Sequence, residues 1–513
     1  MDKNLVLAVV LSIGVYVGWF LLVGRRAPIP VPGAPPASVP LVKPDRGSGS
    51  SANSQGSAAS SARRAPAQEV TLATPEAQAR LTGRGAALAG YLFQGPLGRI
   101  ELIHNPEPGF LATWPELTFE PLSIRKPRNV VFQAGHPIGF QIRKEFLFDL
   151  EGPLHRIRLS VSNPGRRPLQ VPPWEVGLGP GLGTVPSEEA ENAKLQRAVG
   201  LFAPPAGKKR DVLEILKPGE HAGLGRWLAI DNRYFLAAVM ASANDFEGYR
   251  LERHSDDAKS PLLFLKAKAL ALEPGDVHTY EIPFYLGPKG MTRLESLHLG
   301  LERSVDFGWF QSLGRLVLKI LHYFHRLTGN YGWSIILLTI FIQALLFPLT
   351  YKSLKATLGM KKIQPEIARV QQKFKEDPKR LNVELMELYK SRGVNPMGGC
   401  LPMLAQMPVF IALFNTLRNA WELHGAPWMF WIKDLSTHDP FFVLPILMGA
   451  VMFFQNRMNP MTTSDPMQAK IMQYVPVIFC VMFLKFPAGL VLYWFTNSLL
   501  SFGQQLLLRD RLS

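Results

Sequence analysis

Residues 351–400 read YKSLKATLGMKKIQPEIARVQQKFKEDPKRLNVELMELYKSRGVNPMGGC. They hold eleven Lys or Arg against five acids (Glu366, Glu376, Asp377, Glu384 and Glu387), a surplus of six positive charges. An apolar segment lies on each side, residues 331–350 before the block and about 399–418 after it. Cytoplasmic loops of membrane proteins retain Lys and Arg, so the block sets the side this loop faces. It also puts the working part of the chain in the bilayer, with a basic cytoplasmic element, instead of in a soluble catalytic centre.

Further apolar segments follow at about 441–457, 471–486 and 490–508. The last two are separated by Pro487-Ala488-Gly489, a breaker that predicts a tight hairpin. Near the start, Asn4–Val23 is apolar and uncharged. At ~1.5 Å per residue it can cross a hydrocarbon core of ~30 Å. Gly24-Arg25-Arg26 follows, not a small-x-small cleavage pattern, so residues 1–24 are read as an uncleaved anchor in preference to a signal peptide. The expectation is a polytopic α-helical membrane protein with six spans. Both termini are then cytoplasmic, and the long segment after the first span is outside. Arg25 and Arg26 oppose this orientation, but the larger block outweighs them. The loop 419–440 carries one base, Lys433, and three acids, Glu422, Asp434 and Asp439, as an outside loop should.

The 513 residues carry a formal charge of +16 with a pI near 9.8, which favours nucleic acid or anionic lipid as partner. The apolar segments decide for the lipid bilayer, and no nucleic acid is expected as a direct ligand. The two cysteines, Cys400 and Cys480, give neither a disulfide framework nor a zinc spacing, so no metal or cofactor is expected. Residues 25–68 are rich in Pro, Ala, Ser and Gly and read as a disordered linker. Residues 69–304 are globular in composition. Alternating runs at Phe140–Ile142, Phe146–Phe148, Ile157–Val161, Leu262–Leu265 and Tyr280–Tyr285 predict strands, and a large extracytoplasmic β-sandwich domain. The glycine run Gly177–Gly183 contains Pro180 and opens no helix, so it reads as a β-loop and not as a phosphate loop. Residues 305–328 place Trp309, Leu313, Leu316, Val317, Ile320, Phe324 and Leu327 at helical spacing, with Arg315, Lys319, His322 and Arg326 between them. This is read as an amphipathic helix lying in the membrane interface, with a core helix of the β-domain as the alternative that the same pattern allows.

The basic loop, residues 352–395, reads as a helical hairpin. Ile367, Val370 and Phe374 form one stripe, Leu381, Leu385 and Leu388 the other, and Asp377-Pro378 marks the turn. Lys361, Lys362, Arg369, Lys373, Lys379 and Arg380 are left to water and are read as a docking surface, with a retention signal that only fixes topology as the alternative. Polar residues recur inside the spans: Thr339 and Gln343 four apart, Gln406, Asn415 and Thr416, then Gln455 and Asn456, then Thr496, Asn497 and Ser498. Polar groups in hydrocarbon are costly and face one another or a wet cavity, so they read as a hydrophilic groove or as interhelical packing. Lys485, two residues before Pro487, is placed to snorkel to the outer interface.

The run Asn395-Pro-Met-Gly-Gly-Cys-Leu-Pro-Met-Leu-Ala-Gln-Met-Pro-Val-Phe-Ile-Ala-Leu413 resembles the third span of the YidC/Oxa family of membrane protein insertases. Leu444–Gly449, Asp465–Gln468 and Phe486–Tyr493 carry the same resemblance, to the Gram-negative type. It implies a periplasmic β-supersandwich, five core spans in the bacterial inner membrane and a cytoplasmic helical hairpin. It also implies insertion without ATP through a hydrophilic groove closed to the outside. Thr339, Gln343, Met407, Phe410, Tyr493 and Trp494 fall at positions that line or flank that route, with no catalytic residues. Nascent membrane proteins, the Sec translocon, the ribosome and the signal recognition particle pathway are the implied partners. Three departures stand out. Gln343 occupies the position where an arginine is usual, Lys485 the position of an aromatic, and the sequence after Leu508 is short where some members carry a long basic tail. A transporter or lipid flippase is the alternative reading of the intramembrane polar groups, although no inverted repeat is visible.

Overall fold

The structure, a computed structural model, describes residues 68–103, 109–204, 211–253, 260–374, 377–394, 401–458, 474 and 478–512. The expected anchor at 1–24, nearly all of the linker at 25–68, and Cys400 lie outside the described residues. Two compact units divide the chain: residues 362–394 fall in one, and Pro66–Lys361 with Asn395–Ser513 form the other.

The larger unit begins with β-structure. A nine-stranded antiparallel sheet runs in the order Val212–Ile215, Arg197–Phe202, Trp227–Asp231, Phe235–Val239, Val277–Pro288, Leu154–Ser162, Gln141–Leu147, Asn129–Gly135, Glu120–Arg125. Four-stranded sheets built around Ala77–Thr82 and Pro261–Ala267 complete the layers. The expected alternation is present: His155, Ile157, Leu159 and Val161 are buried, while Arg156 and Arg158 are exposed. Gly177–Gly183 leaves a strand ending at Leu178 and passes into a loop, with Gly179 and Gly181 at positive φ.

Trp227–Asp231 and Phe235–Val239 are buried at every residue. Strands covered on both faces read as continuous apolar runs. Leu228, Ile230, Phe235 and Ala237 enter the core of the sandwich. Trp227, Ala229, Leu236 and Ala238 point the other way, into a second core shared with the helices that follow.

The described helices, in chain order, are α1 (Glu189–Leu195), α2 (Met291–Glu295), α3 (Gln311–Thr328), α4 (Tyr331–Lys362), α5 (Gln364–Lys373), α6 (Pro378–Ser391), α7 (Leu401–Asn419), α8 (Val443–Met458) and α9 (Ala488–Leu512). α3 buries Gly314, Val317, Leu318 and Leu321 in the second core and ends at Gly329 in the left-handed region. Gly314 is required there, because a Cβ would lie 2.7 Å from Phe307 Cβ. Leu316, Tyr323 and Leu327, on another face, are exposed. α3 is therefore a core helix on one side and carries a free apolar stripe on another.

α4 is the one helix among the described residues long and apolar enough to cross a membrane by length and composition. Its 32 residues span about 48 Å at ~1.5 Å each. It runs twelve residues beyond the expected end at 350, so the hairpin starts at Gln364 and not at 352, and Lys361 and Lys362 belong to the end of α4. The physical reason is that charge ends the hydrocarbon-compatible stretch but not the helix: Lys, Leu, Ala and Met are all strong helix formers. α7 and α9 coincide with the expected segments, α9 starting immediately after Pro487. α8 has sixteen residues, about 24 Å at ~1.5 Å each. Of the segment 471–486, residues 471–473 and 475–477 lie outside the described residues; helix is present at 478–483.

Burial is uneven along these helices. On α4 the buried residues lie between Gly332 and Gln343, apart from Ser353. On α7 they are Ala412, Leu413, Thr416 and Leu417, on α8 Leu444, Pro445 and Met448, and on α9 residues between Ala488 and Ser498. These ends all lie toward the β-domain, because Trp421, just past α7, packs against Phe93, Tyr234 and Phe235. The opposite halves are loosely covered. Leu345, Phe347, Phe453, Phe454, Leu506 and Leu507 are exposed apolar side chains of the kind lipid accommodates.

Candidate substrate site in the helix bundle

Gln343 sits midway along α4 and is 8% exposed. Its Nε2 donates to Asn497 Oδ1 at 2.5 Å and Ser501 Oγ at 3.1 Å, both on α9. The spacing explains the pair: residues 497 and 501 are one helical turn apart and share a face. Gln504 follows on α9, with a shielded Oε1 that has no hydrogen-bond partner. A polar strip therefore crosses the middle of two otherwise apolar helices. It begins where the tight packing on the β-domain side ends.

A second cluster joins α7 to α9. Gln406 Nε2 donates to Tyr493 Oη at 3.0 Å, and Tyr493 is 1% exposed. Phe410 meets Trp494 edge-on at 4.5 Å between ring centroids, and Phe483 lies 5.2 Å from the same indole. Met407, one turn from Phe410, is half-buried. The structure thus brings Phe410, Tyr493 and Trp494 together, and separately joins Gln343 to α9.

Thr339 departs from the expectation of a groove wall. It is fully enclosed, and its hydroxyl donates to Ile335 O at 2.7 Å on its own helix. Thr416 is likewise enclosed, donating to Ala412 O and to Gly314 O of α3. These two follow the packing reading of the intramembrane polar groups. Lys485 is exposed in the turn before Pro487.

The hairpin unit carries its own logic. Asp377 Oδ1 accepts from Arg380 N at 3.1 Å and caps α6, with Pro378 in the first turn. Ile367 is buried, and Val370, Phe374, Leu381, Leu385 and Leu388 are half-buried, the two expected stripes. Glu366 and Arg392 form a two-bond ion pair at 2.8 and 3.0 Å. Arg369, Lys373, Lys379 and Arg380 are exposed, and Lys373 and Arg380 lie 5.3 and 5.5 Å from the Phe374 ring centre. Lys362 is exposed as well. Lys361, at the end of α4, donates to Met458 O at 2.9 Å.

Sequence reasoning missed the work done by the acids of the loop 419–440, which it counted only as charge. Asp439 accepts from Leu444 N at 2.8 Å, Phe441 N and Trp431 Nε1, capping α8. Asp434 accepts from Gly425 N and Ser436 N, holding a loop whose Leu435 and Thr437 carbonyls accept from the first amides of α9. Glu422 accepts from Met291 N at 2.7 Å and so ties this loop to the β-domain. For Asp439 the signal available was position, two residues before the predicted span at 441, where orphan amides need acceptors; Asp434 and Glu422 gave no such local signal.

A buried ion network fixes the exit from the β-domain. Asp231, fully enclosed, accepts from Arg197 at 2.9 Å twice and from Lys289 at 3.0 Å. Burial alone would raise the Asp231 carboxyl; the charges of Lys289 and Arg197 outweigh it and hold the group below the ordinary carboxylate value. Arg197 also reaches Asp306, just ahead of α3.

Two family descriptions match the chain: the 60Kd inner membrane protein over residues 323–513 and the YidC periplasmic domain over residues 112–320. A membrane protein insertase YidC from Endomicrobium trichonymphae is 41% identical over 452 residues, 85% of this chain and 84% of the relative. One from Syntrophus aciditrophicus is 34% identical over 542 aligned positions, 98% of this chain and 99% of the relative. The crystal structure of an active YidC insertase with its first transmembrane domain resolved is 18% identical, with a TM-score of 0.38, over 86% of this chain and 94% of that one. Matched along nearly its whole length at such identity, the chain belongs to the YidC family of membrane protein insertases, inner-membrane proteins with a β-rich periplasmic domain.

Proposed function

We propose that the protein inserts nascent membrane proteins into the bacterial inner membrane, with the polar strip at Gln343, Asn497 and Ser501 as the point where a substrate's short polar segment is held. One observation carries this reading: the helices are tightly packed on the β-domain side and carry polar groups where that packing ends. A closed outer half and a polar, loosely covered inner half favour entry from the cytoplasm and oppose leakage outward. Phe410, Met407, Tyr493 and Trp494 on α7 and α9 then form the apolar side along which a substrate helix moves into lipid. Burial of that helix in hydrocarbon supplies the driving force, so no enzymatic step is required.

The topology belongs to the same proposal. Six spans place both termini and the hairpin in the cytoplasm and α3 in the outer interface. The contact of the 419–440 loop with the β-domain supports a common, periplasmic side for both. Exposed Trp333, Phe430 and Phe441 supply the aromatic belt expected at that boundary. The exposed cations of the hairpin are a docking surface for the ribosome or the signal recognition particle pathway, and the Sec translocon is a lateral partner. The test is reconstitution of the purified protein alone in liposomes with a small single-span substrate. Protease-protected substrate that accumulates without solute flux supports insertion; flux or lipid scrambling without insertion would overturn it in favour of a transporter or flippase.

A further inference from the structure

A cavity of ≈ 810 Å³ lies between the edge of the nine-stranded sheet and the start of α3. Its charged lining is Arg197, Arg303, Arg315, Asp211 and Asp306. Both acids are already engaged: Asp211 pairs with Arg226 at 3.0 Å and Asp306 with Arg197 at 2.9 Å. Arg303 donates to the main-chain carbonyl of Asp211 and, like Arg315, pairs with no carboxylate among the described residues. Arg315 Nε is shielded from solvent and has no hydrogen-bond partner. Two guanidinium groups thus line one cavity with no carboxylate paired to either among the described residues, one of them with a shielded donor left unused. The first turn of α3 faces the cavity behind an Asp306 carboxylate that is already engaged by Arg197 and by Gly308 N. It contains no acid, and no side chain caps it. Gln311 and Ser312 of that turn also line the cavity.

We infer that this cavity binds a phosphate group, carried there by the headgroup of an anionic phospholipid of the outer leaflet. Guanidinium groups match phosphate oxygens in charge and geometry. Val199, Leu213 and Ile215 give the same cavity an apolar wall, and Leu316 begins the exposed stripe of α3 immediately after Arg315. A lipid with its phosphate on Arg303 and Arg315 can lay its apolar part along these surfaces. A free phosphate would use the arginines but not the wall. The choice of lipid as the source rests on α3 lying in the outer interface, as proposed above; the phosphate site itself does not.

The full chain in nonionic detergent is titrated with short-chain phosphatidylglycerol, short-chain phosphatidylcholine and inorganic phosphate, with binding read by calorimetry. Phosphatidylglycerol is expected to bind at one saturable site, tighter than the other two, and the double change Arg303→Gln, Arg315→Gln to weaken it about a hundredfold, about tenfold per guanidinium. Unchanged binding by the double variant, or no saturable binding by the wild type, overturns the site. Inorganic phosphate binding as tightly as the lipid keeps the anion site but overturns the lipid source. If the double variant does not fold, Ser312→Glu replaces it, since a carboxylate in the first turn supports the helix and competes for the same cations. Ser312→Glu should keep the wild-type unfolding temperature and lose phosphatidylglycerol binding; retained binding overturns the proposal. Insertion activity, measured alongside, reports on the insertase reading independently.

Discussion

Replacing Gln343 by Leu removes the donor that, among the described residues, joins the polar strip of α4 to α9. Asn497 Oδ1 and Ser501 Oγ each lose a hydrogen bond, of 2.5 and 3.1 Å. Interhelical hydrogen bonds in membranes contribute on average ~0.6 kcal/mol and at most about 1.7. Two such bonds come to about 1 kcal/mol. Asn497 and Ser501 are half-buried, so water can compensate them in part and the low end applies. If Gln343 exchanges these bonds for two of like strength to the substrate's polar segment in the rate-limiting step, about 1 kcal/mol corresponds to roughly fivefold slower insertion. Gln343→Arg should act differently. It restores donors and adds the charge usual at this position in the family, so substrates with acidic outer tails should insert faster than in wild type, with less gain at high salt. The assay is the initial insertion rate in proteoliposomes for substrates with matched acidic and neutral tails. Equal rates for wild type and both variants would refute the reasoning and reduce Gln343 to a packing residue.

Deletion of residues 364–389 removes the hairpin, which carries its own small core and its own cap at Asp377. The larger unit should stay inserted while substrate insertion falls at least tenfold, as read by protease protection of the protein and of its substrate; wild-type insertion by the deletion variant would leave the hairpin only a topology signal. His155 predicts a pH dependence of the outer domain. It is 5% exposed, and burial pushes its pKa down to about 4, against a partial upward pull from Asp149. Between the ordinary value of 6.5 and about 4 the unfolded chain holds the proton that the folded chain refuses, so stability is full above pH 6.5 and falls as pH drops toward 4. The part of that interval between pH 6.5 and 5 corresponds to about 2 kcal/mol. Tryptophan-monitored unfolding at pH 7 and pH 5 should show this loss in wild type, and His155→Phe should remove most of it; an identical loss in the variant would assign the slope to other groups.

The β-domain was legible because its strands alternate. Ile157, Leu159 and Val161 declare a buried face in five residues. Two helical features were equally local: Asp377-Pro378 as a cap and Pro487-Ala488-Gly489 as a break. The end of α4 was misplaced because the onset of charge was equated with the end of the helix. At the site, polar types in mid-span pointed to Gln343 and the family resemblance to Phe410, Tyr493 and Trp494, but neither said which neighbour each would find. Thr339 shares a helix face with Gln343 by spacing and so reads as a second groove-lining group, yet a threonine hydroxyl can bond its own helix one turn back, and here it does. The ion network was invisible for a different reason. Arg197, Asp231 and Lys289 come from three distant strand ends, and no local pattern links them.

The shared core beneath Trp227, Leu236 and Ala238 decides where the outer domain can be cut from the chain. Composition changes near residue 304, and a soluble fragment ending there would strip Val317, Leu318 and Leu321 from the sheet's second face. That face would then be an exposed apolar surface of the kind that drives self-association. A fragment carried through Gly329 keeps its own cover. The cooperative folding unit therefore overlaps the membrane-proximal helix, and the border between the aqueous domain and the bilayer part is not a border between independent foldons.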